Sequence, residues 1–175
     1  DDVTVPAGVK LTIMPGTEVI IDGIPGKTGY DHTLSIQGTL IISPGSQPVW
    51  FLSATNQTNS WQGIYIEGQA NLDGFAVQDA LRGLTVVDAA NVIIDHGNFH
   101  DTQIGLHVYA NHPKVGNSSF LNNTWCGIKE DEGGRPVVTN CTFSGNYINY
   151  YHEDLTTISQ DELNALPGNS ANIYQ

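Results

Sequence analysis

The chain is poor in positive charge, in sulfur and in long apolar runs. Its 175 residues carry six Lys and Arg against 18 Asp and Glu, a formal charge of -12. Such a surface repels phosphate backbones and anionic lipid headgroups, so nucleic acid is not an expected partner. No apolar run is long enough to cross a bilayer, and no basic stretch followed by an apolar one stands at the front, so membrane insertion is not expected. Helical periodicity is missing up to about residue 155. Neither His-Glu-X-X-His nor Cys-X-X-Cys occurs among the six histidines (His32, His96, His100, His107, His112, His152) and two cysteines, which removes the common zinc sites and favours individual surface histidines. No glycine loop leads from a strand into a helix to cradle phosphate; Gly133-Gly134 falls in the acidic turn Glu130-Asp131-Glu132.

What is present is a low-charge β composition, with 14% charged residues, 19 glycines, a single Met and abundant Asn, Thr and Ser, as in extracellular proteins. The opening Asp1-Asp2-Val3-Thr4-Val5-Pro6 already alternates like a strand, and the expectation is a secreted or cell-surface protein whose leader was removed. Short alternating runs such as Val9-Lys10-Leu11-Thr12-Ile13 and Leu34-Ser35-Ile36 are punctuated by Pro-Gly and Gly turns.

The runs repeat. Gly83, Gly105 and Gly127 recur at a constant interval, each followed by Leu or Ile, and Val77, Phe99, Phe120 and Phe143 recur in phase with them at nearly the same interval. A period of about 22 residues favours winding over hairpins, each strand stacking on its copy one coil earlier. The spacing predicts Val77 and the three phenylalanines as an inward ladder, with the glycines turning corners. In the front half, Leu11 to Thr17 is matched with Leu34 to Leu40 and then with Trp61 to Ile66, on much the same period. Asn117 and Asn140, three residues before their phenylalanines, are expected to form an internal amide ladder. Ser159-Gln160-Asp161-Glu162 reads as a capping box opening a short helix to about Leu166, where Pro167-Gly168 stops it.

The run from Val5-Pro6-Ala7-Gly8 to Met14-Pro15-Gly16-Thr17, with Gly38-Thr39-Leu40 and Trp61-Gln62-Gly63-Ile64, resembles the right-handed parallel β-helix repeat domains of prokaryotic cell-surface proteins, which share the pectate-lyase-like architecture. The resemblance covers residues 3–150 and implies an all-β fold: one right-handed parallel β-helix of about seven coils of about 22 residues, a rod about 35 Å long. Residues 1–155 form the β-helix and 156–175 a C-terminal segment with the short helix, which either caps the rod or packs beside it.

Aligned coils place Asp73 beside Asp95 and Asp79 beside Asp101. Two carboxylates one rung apart repel, so the expectation divides between solvated outward acids and a pair that shares a proton or a cation such as Ca²⁺. No other metal and no cofactor is expected. The Asp sets and Arg base of the resembling polygalacturonases and pectate lyases are missing; the arginines are Arg82 and Arg135, and Asp95-His96-Gly97 is the nearest echo of a polygalacturonase motif. No catalytic residue is assigned. Four sequons begin at Asn56, Asn117, Asn122 and Asn140, of which Asn56 and Asn122 are the better glycosylation candidates because an internal Asn carries no glycan. Cys126 and Cys141 are candidates for a disulfide within the chain or between subunits. Tyr147, Tyr150 and Tyr151 with Trp125 either form a sugar platform or, as preferred, pack against the terminal segment.

The leading expectation is a non-enzymatic structural protein joining copies of itself through β-helix ends or edges into a sheath, surface layer or fibre of an archaeal kind. The alternatives are a polysaccharide-binding or polysaccharide-cleaving module, with Asp79, Asp101 and Asp95 near Arg82 in a groove, and an adhesion module for glycans.

Overall fold

The computed structural model describes residues 2–22, 32–87, 91–154 and 156–175. Its strands lie on three faces of a winding coil, and every pairing between them is parallel. Face one stacks seven: β1 (Val3–Val5), β4 (Thr33–Ile36), β7 (Gly63–Ile66), β9 (Arg82–Val87), β11 (Ile104–Tyr109), β14 (Cys126–Asp131) and β17 (Ile148–Tyr151). Face two holds β2 (Lys10–Ile13), β5 (Thr39–Ile42), the first halves of β8 (Gln69–Gln78) and β10 (Asn91–His100), β12 (Lys114–Gly116) and β15 (Val137–Thr139). Face three holds β3 (Glu18–Ile21), β6 (Val49–Ser53), the second halves of β8 and β10, β13 (Ser119–Leu121), β16 (Thr142–Ser144) and β18 (Ile173–Tyr174). The helix α1 spans Gln160–Ala165.

A constant step holds from β9 onward, where Leu84, Leu106, Ile128 and Tyr150 stack in register. The front coils are longer. Val3 pairs Leu34 and Leu34 pairs Ile64, both steps well above the later period, before a shorter step from Ile64 to Leu84. The match of Leu11 with Leu34 is thus corrected: Leu11 pairs Leu40 on face two, while Leu34 belongs to face one. Every face uses the same short alternating strand, so an echo at the wrong interval aligned strands on different faces.

Inside, Phe99, Phe120 and Phe143 are fully buried and in register. Their rings stack with centroids 4.9 Å apart at both steps, the distance between neighbouring strands. Phe75 meets one end edge-on at 5.5 Å and Tyr174 the other at 5.2 Å. Gly83, Gly105 and Gly127 do not turn corners, as the sequence suggested; they lie within β9, β11 and β14. A Cβ on Gly105 would stand 2.6 Å from the Gly127 carbonyl oxygen and 2.9 Å from the Phe120 ring, so hydrogen is required there for close approach. Corners are made by other residues at positive φ: Gly74, His96, Asn117 and Asn140 between faces two and three, and Asp79, Asp101, Asn122 and Gly145 between faces three and one. Asn and Asp tolerate this region better than other residues with a Cβ.

The asparagine ladder is consequently outside at one place and inside at another. Asn117 and Asn140 are exposed corner residues, and the Asn140 amide donates to the Asn117 side-chain oxygen on the surface. The internal ladder is Thr102, Asn123 and Asn146, three residues after each phenylalanine. The Thr102 hydroxyl donates to Asn123 Oδ1 at 2.6 Å, Asn123 Nδ2 to Asn146 Oδ1 at 2.8 Å, and Asn146 Nδ2 to the Phe120 carbonyl at 2.8 Å. Backbone groups at each turn are thereby satisfied from the next coil.

The two ends differ. At the C-terminal end the capping box forms as read, with Ser159 and Glu162 bonded reciprocally. The fully buried Leu163 joins the core, and β18 adds a partial rung to β16. Asn172 closes the coil, accepting from the Cys141 N–H at 3.0 Å and donating to the Val138 carbonyl at 2.9 Å. The segment therefore caps the rod. At the N-terminal end, a mainly apolar cavity of about 660 Å³ opens among Leu11, Ile13, Val19, Ile21, Leu34 and Phe51, and Val3, Met14 and Ile20 stand exposed around it.

Candidate binding groove

Strand alternation sends Leu84, Leu106 and Ile128 inward and builds an outward column of Tyr65, Thr85, His107, Lys129 and Tyr151 on face one, one residue per rung. A second outward column holds Val87, Tyr109 and Asp131. Five rungs at strand spacing make the first column about 19 Å long. Beside it lies a groove of about 300 Å³ whose walls include Tyr65, Arg82, Thr85, Tyr109 and Glu132. Trp125 and Tyr151 extend the aromatic surface, their ring centroids 5.8 Å apart, and the Lys129 ammonium lies 5.8 Å from the Trp125 ring.

His107 is the centre of this face. Though on the outward column, it is only 2% exposed, so it is no surface histidine as the sequence suggested. Tyr109 lies 4.2 Å from it between ring centroids. His107 Nε2 is 2.7 Å from Asp131 Oδ2, which also accepts from Lys129, while Nδ1 has no partner. Burial, with help from nearby Lys129 and Arg82, pulls the His107 pKa down to about 4 against the opposing pull of Asp131, so the ring is neutral near pH 7. Burial alone would raise Asp131; the hydrogen bonds from Lys129 and His107 outweigh it and hold the carboxyl below its ordinary range.

Directly inside the same strand sits Glu130, with 0% exposure. It accepts from the Tyr150 hydroxyl and from the Arg135 guanidinium, with His152 Nε2 at 3.5 Å. Burial pushes the Glu130 pKa up, opposed by the Tyr150 hydrogen bond and by Arg135. Burial and the same carboxylate push Tyr150 far above the phenol range. This buried network ties β14, β17 and the following loops together, and nothing in the chain's periodicity announced it.

The paired carboxylates stand elsewhere. Asp73 and Asp95 are in register, as expected, at the edge of face two. His96 joins them, its Nδ1 2.9 Å from Asp73 and 3.6 Å from Asp95, and Asn117 donates to Asp95 at 2.8 Å. This half-exposed trio is the group among the described residues able to offer three ligand atoms to one cation. Asp79 and Asp101 form a separate pair at the next corner, bonded to Gln78 at 3.1 Å and His100 at 2.8 Å. Asp79 is buried rather than solvated, and burial with the neighbouring Asp101 raises its pKa although Gln78 opposes the rise. The structure does not bring Asp95 to Arg82: one lies at the face two edge, the other in the face one groove.

Both cysteines are free and buried, so no disulfide joins them. Cys126 begins β14 on face one, whereas Cys141 leads into β16 on face three with its thiol directed at the Thr139 and Val115 carbonyls. Burial pushes the two thiols up to about 12 and about 11. All four sequon asparagines, Asn56, Asn117, Asn122 and Asn140, lie at positive-φ turns on the outside of the coil, which removes the ground for ranking two below the others. Of the tyrosines, Tyr150 is internal, Tyr151 lies against Trp125, and Tyr147 is 79% exposed rather than packed on the terminal segment.

No curated protein and no solved structure matches the chain significantly. A family model described as a right-handed beta helix region matches residues 40–175, more than three quarters of the chain. Parallel rungs, an internal ladder and that match agree: the chain belongs to the right-handed β-helix family.

Proposed function

We propose that this protein is an extracellular, non-catalytic glycan-binding module of a cell surface. The observation that carries the reading is the face one groove, where Tyr65 and Tyr109 flank Arg82, and Trp125 and Tyr151 continue the aromatic surface. Rings with one apolar side and a polar tip suit sugars, which present both C–H faces and hydroxyls. Parallel rungs hold these side chains at fixed spacing, so little ordering opposes binding. His107, Asp131 and Lys129 of this face are already bonded to one another, which favours recognition over acid and base chemistry at those groups. Calorimetric titration with neutral and acidic oligosaccharides tests it: Tyr109→Ala and Trp125→Ala are expected to weaken binding at least tenfold. Absence of binding to every oligosaccharide class sinks the reading.

A second reading, assembly of copies, is favoured by the first rung, where among the described residues β1, β2 and β3 each pair on one side and exposed Val3, Met14 and Ile20 surround an apolar cavity. A contact between two such rungs joins a pair of molecules, since α1 and β18 cover the last rung. Sedimentation equilibrium tests this: a dimer that Met14→Glu dissociates supports it, and a monomer at high concentration opposes it.

A further inference from the structure

Resting on the groove reading, we infer that the sugar bound on face one carries a single anionic substituent, a carboxylate or a sulfate ester, seated on Arg82. The two arginines of this chain are placed differently. Arg135 is committed to the buried Glu130. Arg82 lines the groove and makes no ion pair or side-chain hydrogen bond to any described residue, and its Nε is buried without a partner. With no protein acceptor, the guanidinium keeps its donors for a ligand that enters the groove. A guanidinium presents a planar fork that matches the two oxygens of a carboxylate or sulfate.

Nearby cations do not compete for that role. Lys129 is bonded to Asp131, and His107 is buried and neutral near pH 7. The surroundings also limit how much negative charge the ligand can bring. Glu132 lines the groove, Asp131 stands on the adjacent column, and the chain carries -12 overall. A densely charged polyanion is repelled by this field, whereas one anion on an otherwise neutral sugar gains the Arg82 contact and loses little. Tyr65 and Tyr109 flank the same space and face the uncharged ring.

The test uses the full chain and matched cello-oligosaccharides that are neutral, that carry one C6 carboxylate, or that carry one C6 sulfate. At low salt the wild-type protein is expected to bind an anionic form at least tenfold more tightly than the neutral one, and the two anionic arms show which group it prefers. Arg82→Gln is expected to abolish that preference, so that the anionic forms bind no more tightly than the neutral one; Arg82→Lys keeps part of it. Should Arg82→Gln not fold by its thermal transition, the wild-type salt series decides, because the preference must shrink as salt screens the contact. Equal, Tyr109-dependent binding of all three forms overturns the inference and leaves the groove reading standing. No binding of any form overturns both.

Discussion

In the coils from β9 to β17, inner positions find a like residue one rung away: Phe99 on Phe120 on Phe143, and Leu84 on Leu106 on Ile128. In the coils from β1 to β7, the corresponding steps are longer and Phe51 stacks on Val77. The regular half ends in a plug of Asn172, α1 and β18; the irregular half ends in an open apolar cavity. Aliphatic residues stack like on like in the irregular half too, Leu11 on Leu40, Ile13 on Ile42 and Ile36 on Ile66, because its extra residues lie in the connections and leave the paired strands in register. What the near-equal coils add is rings stacked at strand spacing and amides within bonding reach of the next turn.

The sharpest way to break this comparison is to truncate a ring in each half. Phe120→Ala removes a side chain stacked at 4.9 Å on both sides and is expected to cost about 3–5 kcal/mol. Phe51 is as fully buried but borders the cavity, which leaves its neighbours room to relax, so Phe51→Ala is expected to cost roughly half as much. Urea unfolding of both variants measures the difference; equal losses would mean that the stacked half holds no energetic advantage.

Acid adds a second contrast, confined to the regular half. The His107 pKa is about 4 in the folded chain and near 6.5 unfolded, so between those values the unfolded chain binds the extra proton. Stability is therefore full above about pH 6.5 and lost as the pH falls toward 4, by up to about 3 kcal/mol. Glu130 and Asp79, raised by burial, act in the opposite sense: they gain stability as they protonate. The difference between wild type and His107→Gln isolates the histidine, and the variant's stability curve should be flatter over this window. Parallel curves would remove the buried imidazole from the account.

The Phe ladder was legible because near-equal coils print the same residue at nearly the same interval. The Asn ladder was misplaced for a specific reason. Asn117 and Asn140 lie three residues before their phenylalanines, Asn123 and Asn146 three after, and both pairs recur at the same spacing. Only the corner residues decide which pair turns inward, and positive φ at Asn117 and Asn140 puts that pair outside. The groove was less legible still. Tyr65 faces Thr85, which faces His107, through steps of unequal length, so no single interval gathers the aromatic walls around Arg82. Glu130 alternates correctly as an inward residue, yet composition marks it as surface, and only its bonds to Tyr150 and Arg135 account for its burial.

A third test compares the two ladders themselves. Asn123→Ala leaves the Thr102 hydroxyl and backbone N–H, the Phe99 carbonyl and the Asn146 amide short of a partner, and about 1–3 kcal/mol is the expected loss. Asn140→Gly on the exposed ladder, which leaves the positive φ unstrained, should stay within about 0.5 kcal/mol, because water replaces the lost bond. Thermal unfolding of the two variants separates an internal ladder from a decorative one; equal shifts would place them on the same footing.

The smallest effect concerns the cap. Ser159 accepts from the Glu162 N–H, and Glu162 answers by accepting from the Ser159 N–H at 2.8 Å, so Ser159→Ala removes half of that exchange, worth about 1 kcal/mol to an isolated helix. Here α1 is also held by Leu163 in the core and by the Asn164 amide, which donates to the Asn172 carbonyl at 3.1 Å and accepts its N–H at 2.9 Å. The loss should therefore appear first as faster hydrogen exchange in α1 and β18, with the Phe143 rung protected. If the amides of β16 and β17 open together with α1, the plug and the regular coils are one cooperative unit, and the stability of the stacked half depends on its closed end as much as on its rings.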